Sequence, residues 1–289
     1  MTESVRAGGT VFVFAGGGSH GAVQVGMLRA LVAAGVTPDF VVGTSVGAIN
    51  GVFFASDPTT AGVERLGRIW VGIERRDVYP LAPYGWLKAV FGGRTHLLNP
   101  AGLRSVLARH LPVKRLEDTT IPCAVIAASV IDGSEVVLSS GSAVEAVLGS
   151  ASIPVLLPPV RIEGRDVIDG AIANNTGIST ALALGAARVI VLPTGFSCAV
   201  NDPPRNAVAM ALHVVSVLLA RQLVNEAERH AHRAPIIIVP PLCPMPVSSY
   251  DFSRGAWLQE EAAEATSHWL ATGGLERTTV PPSMRPHAH

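Results

Sequence analysis

The chain has 289 residues, with 22 Lys+Arg against 22 Asp+Glu and a formal net charge of zero. That balance leaves no electrostatic footprint for nucleic acid or an anionic membrane, so any lipid contact has to be mainly apolar. Hydrophobic residues make up 48 %, yet no uncharged apolar run reaches the roughly 18 residues that span a bilayer, and the length suits one large α/β domain with a substantial core.

Val11 to Phe14 is a continuous apolar run, the pattern of a strand covered on both faces. The turn Gly16-Gly17-Gly18-Ser19-His20-Gly21 follows, and from Ala22 the apolar positions Met27, Leu28, Leu31 and Val32 recur at helical spacing. The unit then repeats. Asp39 to Val42 reads as a strand, Gly43-Thr44-Ser45-Val46-Gly47 as a tight turn, and Val46 to Ala55 as a helix too apolar for the surface. Val63, Leu66, Trp70 and Ile73 share one helical face. Between Arg75 and Pro100 come Tyr79, Tyr84, Trp86, Phe91 and three prolines, which fit an irregular cap over a site and equally an ordinary packed connection.

Leu103 to Leu111 predicts a helix, and Ala124 to Val130 and Glu135 to Leu138 predict strands joined through the hairpin signal Asp132-Gly133. The apolar block Ala143 to Pro159 either supports the following strand or lines a channel. Val167-Ile168-Asp169-Gly170-Ala171 sets an aspartate at the end of a short strand. Arg188 to Leu192 and Pro235 to Val239 are further strands, separated by a long helix from Ala207 to His230. This alternation implies a three-layer α/β/α sandwich with a mainly parallel sheet, one domain over residues 9–272, and a site at the carboxyl ends of the strands. The first eight residues and the tail from Gly273 read as loose ends.

Cys123, Cys198 and Cys243 lie far apart without C-x-x-C spacing, which argues for buried thiols and against disulfides or a zinc site. No calcium-type acidic loop is visible, so neither metal nor cofactor is expected. Val11 to Ala15 is too short for an export signal, which makes the cytoplasm the expected compartment, with transient apolar contact at a membrane surface.

The two glycine turns carry the chemistry. Gly-x-Ser-x-Gly is weak alone, but a strand before Gly43 and a helix after Gly47 make the sharp bend that exposes a serine hydroxyl at a helix N-terminus. Gly43 and Gly47 then have a steric role, and Ser45 is the candidate nucleophile. The first turn satisfies Gly-x-Gly-x-x-Gly, a dinucleotide fingerprint, through Gly16, Gly18 and Gly21. The ribose-binding acid is missing, however, because Asp39 precedes the second strand and Gly43 ends it. Bare N–H groups of Gly16, Gly17 and Gly18, with that of Val46, instead suit an oxyanion. His20 beside them is either a functional cation or a solvated histidine at a helix start. His213, His230, His232 and His268 lack a loop that would present them as a base, whereas Asp169 has one.

Together these residues resemble the patatin-like phospholipase family. The resemblance runs from about Val11 to Leu192 through the glycine loop Gly16 to Gly21, the elbow Gly43 to Gly47, the block Ala151-Ser152-Ile153-Pro154, and Asp169-Gly170-Ala171. His20 stands where many relatives carry Arg or Lys, and Ala171 where many carry Gly. The resemblance implies a Ser45–Asp169 dyad, an acyl-Ser45 intermediate, a metal-free mechanism, and fatty acyl esters of phospholipids, lysophospholipids or glycerides as substrates. A soluble acyl ester or thioester, and a silent lipid-binding protein, are the alternatives.

Overall fold

The computed structural model describes residues 9–80, 95–195, 207–248 and 251–285. Tyr84, Trp86 and Phe91 of the expected cap, and Cys198, lie outside them. Among the described residues eight strands form one sheet: β1 (Thr10–Phe14), β2 (Phe40–Thr44), β3 (Cys123–Ser129), β4 (Glu135–Leu138), β5 (Val160–Ile162), β6 (Arg165–Asp169), β7 (Arg188–Leu192) and β8 (Ile236–Ile238). The path runs β5-β6-β3-β2-β1-β7-β8, with β4 also on β3. The pairings from β3 through β2, β1 and β7 to β8 are parallel, while β3–β4, β3–β6 and β5–β6 are antiparallel.

Strand β3 serves two partners along one edge. Its first half registers with β2, placing Thr44 opposite Ile126, and its second half with β6, placing Asp169 opposite Ala127. Backbone groups alternate in direction along a strand. Val41 N–H donates to Pro122 O and Val130 N–H donates to Asp166 O, both at even positions of this segment, whereas Ser129 N–H donates to Ser134 O of the β3–β4 hairpin. So β2 and β6 meet β3 end to end on one side, and β4 occupies the other.

Helices cover both faces: α1 (Gly21–Ala33), α2 (Val46–Ser56), α3 (Thr60–Gly72), α4 (Arg75–Val78), α5 (Ala101–His110), α6 (Ala143–Ser150), α7 (Ala171–Asn174), α8 (Ile178–Ala183), α9 (Ala207–His230) and α10 (Gly255–Ala271). The period-2 alternation of β1 divides the core. Phe12 and Phe14 pack with Leu28, Phe54, Leu107, Leu148 and Leu258, and Val11 and Val13 with Ile178, Leu223 and Val189 on the opposite face. Helix α2 is buried along nearly its whole length, as its composition predicts.

Helix α10 was not anticipated. Its buried face mixes Leu258, Gln259, Ala262, Thr266 and Trp269, too polar a set to mark an apolar stripe. It lies close on α1 because Gly26 lacks a side chain; a Cβ there would sit 2.7 Å from Ala262 Cβ. After Gly273 the chain forms two short 3-10 turns, and Met284 in the second is buried. Cys123 is buried, its thiol pushed up to about 11 by desolvation, but Cys243 is exposed, contrary to expectation. Among the described residues no helix is long and apolar enough to cross a membrane.

Candidate active site

Strand β2 ends at Thr44, and the next residue bends the chain straight into α2. Ser45 has φ 56° and ψ −125°, a conformation that strains a residue with a Cβ by about 1–3 kcal/mol. Packing holds it there. Helix α2 approaches β1 so closely that a Cβ on Gly47 would overlap the Phe14 carbonyl, and one on Gly43 would lie 2.7 Å from Ala48 Cα. The glycines are therefore the condition for the bend.

Strand β6 delivers Asp169 to the same place. Ser45 Oγ donates to Asp169 Oδ2 at 2.7 Å, and Ala171 N–H donates to Asp169 Oδ1 at 2.9 Å. Asp169 is 4 % exposed and Ser45 8 %. Desolvation pushes the carboxyl up to about 6, with the Ala171 N–H and the Ser45 hydroxyl pulling it back. A carboxylate so placed is a stronger base than one in water and is still ionised at neutral pH. Among the described residues no histidine is hydrogen-bonded to either side chain, although His110 lines the adjoining pocket.

The glycine loop lies against the elbow, and a Cβ on Gly16 would come within 3.1 Å of Ser45 Cβ. Gly16 N–H donates to Asn175 Oδ1 at 3.1 Å, and Gly16 O accepts from Thr194 Oγ1 at 2.8 Å. Gly16 thus anchors the loop, and its N–H is occupied. Among the described residues the N–H groups of Gly17, Gly18 and Val46 meet no hydrogen-bond partner. His20 is 1 % exposed, its Nε2 bound to Val247 O at 2.9 Å, and burial pushes its pKa down. It is a neutral buried residue, neither the cation nor the solvated histidine the sequence suggested.

Three residues missed in the sequence fix the loop ends. Gln24 Nε2 donates to Ala15 O at 2.8 Å and to Leu192 O at 2.9 Å. Asn50 Nδ2 donates to Gly21 O at 2.9 Å and to Gln24 Oε1 at 2.8 Å, and Trp70 Nε1 donates to Asn50 Oδ1 at 2.8 Å. A fourth, Ser150, accepts Ser45 N–H on its Oγ at 2.8 Å. The signal for Gln24 and Asn50 was there: each is a lone amide in an apolar helix, which has to be paired inside.

Beside Ser45 opens a pocket whose walls are almost wholly apolar, among them Val46, Phe53, Trp70, Leu103, Leu107 and Ile153. Ala151 and Ile153 of the block before β5 line it, while Ser152 O accepts Asp169 N–H at 3.0 Å, so that block both lines the pocket and supports β6. A lining of this kind suits an apolar group, and Gly18, Ser45 and Val46 share the pocket wall.

A model of the family described as patatin-like phospholipase matches residues 12–182. Patatin-like phospholipase domain-containing protein 7 from Rattus norvegicus is 27 % identical over 186 residues, covering 63 % of this chain and 13 % of that protein. Lysophospholipase NTE1 from Mycosarcoma maydis is 27 % identical over 217 residues, covering 72 % of this chain and 11 % of that protein. The chain therefore spans a small part of the length of these relatives. Among solved structures, human GIVD cytosolic phospholipase A2 in complex with methyl gamma-linolenyl fluorophosphonate has a TM-score of 0.45 and 14 % identity, over 95 % of this chain and 59 % of that one. VipD from Legionella pneumophila has a TM-score of 0.45 and 14 % identity, over 93 % and 68 %.

Proposed function

The chain belongs to the patatin-like phospholipase family, and from that membership and the site geometry we propose that it hydrolyses fatty acyl esters of phospholipids or lysophospholipids through a Ser45–Asp169 dyad. The observation that carries this reading is the 2.7 Å hydrogen bond to a buried carboxylate from the Oγ of Ser45, which lines an apolar pocket.

Asp169 accepts the Ser45 proton as Oγ attacks the ester carbonyl carbon. The oxyanion that forms is met by the N–H groups of Gly17, Gly18 and Val46, with the N-terminal dipole of α2 behind the last. On collapse, protonated Asp169 returns its proton to the departing glyceryl oxygen and leaves acyl-Ser45. Water then enters, gives a proton to Asp169 and attacks the acyl carbon; the second collapse frees the fatty acid and returns the proton to Ser45. The hydrocarbon chain stays along Phe53, Trp70 and Leu107 throughout, gaining roughly 0.8 kcal/mol per buried CH₂. No step calls for a metal ion.

The test is fatty-acid release from phospholipid and lysophospholipid micelles with EDTA present, for wild type, Ser45→Ala and Asp169→Asn. Release by wild type alone supports both dyad and substrate class. Release from short soluble esters or thioesters but not from lipid micelles moves the substrate to a soluble acyl compound, and silence on all of them leaves a lipid-binding role.

A further inference from the structure

Strand β3 leaves a gap where β2 ends and β6 has not yet begun, and one side chain fills it. Val41 N–H donates to Pro122 O, and the parallel register sets Val42 against Ala124 and Thr44 against Ile126. Continued one rung further, the ladder would pair Ser45 N–H with Ile126 O. The bend at Ser45 prevents that contact. Instead Ser150 Oγ is inserted into the rung: it accepts Ser45 N–H at 2.8 Å and donates to Ile126 O at 2.6 Å.

We propose that Ser150 is a positioning residue for the reaction, its hydroxyl setting where the nucleophile stands relative to Asp169. This inference rests on the hydrolase reading above. Ser150 is fully buried at the end of α6. The position needs one group that donates to a carbonyl and accepts from an amide across a gap of one heavy atom, which a hydroxyl does. The same short segment also grips the far side of the site, because Ser150 O accepts Gly170 N–H at 3.2 Å and Ser152 O accepts Asp169 N–H at 3.0 Å. Residues 150–152 therefore hold the Ser45 backbone with a side chain and the Asp169 backbone with carbonyls.

Removing the hydroxyl leaves Ser45 N–H and Ile126 O buried without partners, and frees Ser45 to relax from its strained conformation. Its Oγ then leaves Asp169. The carboxyl loses one of the two hydrogen bonds that pull its pKa down, so the acid limb of the pH profile moves to higher pH.

The experiment compares wild type, Ser150→Ala, Ser150→Cys and Thr180→Ala in the full chain, by thermal melting, by labelling of Ser45 with a fluorophosphonate probe across pH, and by kcat and KM on a lysophospholipid. Thr180→Ala is the stability control: it removes a buried hydroxyl that donates to Glu135 and touches neither Ser45 nor Asp169. Expected are a kcat and labelling rate about 100-fold lower in Ser150→Ala with little change in KM, an acid limb shifted upward from about pH 6, and intermediate behaviour in Ser150→Cys. Thr180→Ala keeps the wild-type acid limb. Labelling and profile unchanged in Ser150→Ala, or the same shift in Thr180→Ala, overturn the inference while the hydrolase reading stands. A wild type that the probe does not label overturns both. Should Ser150→Ala fail to fold, Ser150→Cys decides: a raised acid limb supports the role, and an unchanged one overturns it.

Discussion

Two buried polar clusters flank the glycine loop, and they are built on opposite principles. Gln24, Asn50 and Trp70 are uncharged and hydrogen-bonded to one another and to three backbone carbonyls, at 2.8 to 2.9 Å. Ser45 and Asp169 combine a strained backbone with a carboxyl whose burial opposes its charge. The first cluster gives the loop one conformation; the second holds a group in a state that it leaves readily. A buried polar network stabilises when every member is satisfied, whereas a desolvated charge beside a nucleophile destabilises the ground state and is available for chemistry.

The sharpest way to break this contrast is to remove the proposed catalytic pair. Ser45→Ala and Asp169→Asn each lower kcat/KM by at least about 10³-fold on a lysophospholipid, while far-ultraviolet circular dichroism stays that of wild type. Asn50→Leu attacks the other cluster: it strips partners from Trp70 Nε1, Gly21 O and Gln24 Oε1 and lowers unfolding stability by about 3 kcal/mol in urea titration. A loss confined to activity, with stability intact, would refute the assignment of that network to rigidity.

Asp169→Asn carries a second, smaller signature of opposite sign. The folded pKa of about 6 lies above the carboxyl's ordinary value, so the native state binds the proton more tightly than the unfolded chain. Wild type is penalised as pH rises from about 4 through 6, by about 3 kcal/mol once the carboxyl is fully ionised. The Asn variant is thus stabilised relative to wild type at pH 8, and the difference shrinks toward pH 4. Activity runs the other way, rising through about pH 6 as the base ionises. A stability difference that does not vary with pH would sink this account. The smallest expected effect is that of Trp70→Phe, which keeps a ring on the pocket wall and deletes one donor to Asn50: kcat falls about 5-fold, with KM for long-chain substrates unchanged.

The reactive cluster was more legible in the sequence than the rigid one, for physical reasons. Ser45 and Asp169 sit at strand ends beside glycines, and glycine marks in one dimension a bend that is needed in three. Strands β1, β2, β3 and β7 were legible because burial on both faces writes unbroken apolar runs. Ser150 was not: a serine at the end of an apolar helix looks the same whether its hydroxyl faces solvent or bridges two strands. The pairing of Gln24 with Asn50 joins residues 26 apart, and each contact depends on how α1 and α2 cross. Helix α10 escaped because small and polar residues make its contact face. The anchoring role of Gly16 required Asn175, 159 positions away.

On the proposed mechanism, strand β3 also governs when the protein acquires its reactivity. The proposed nucleophile and its base are 124 positions apart and meet only on the edge of a strand that lies between them in the chain. During synthesis the elbow is made first, yet a nascent chain that stops before Asp169 has a serine with no base, and contacts of such wide sequence separation form late. With the proposed mechanism, a chain assembled in this order stays inert until three separate strands have docked.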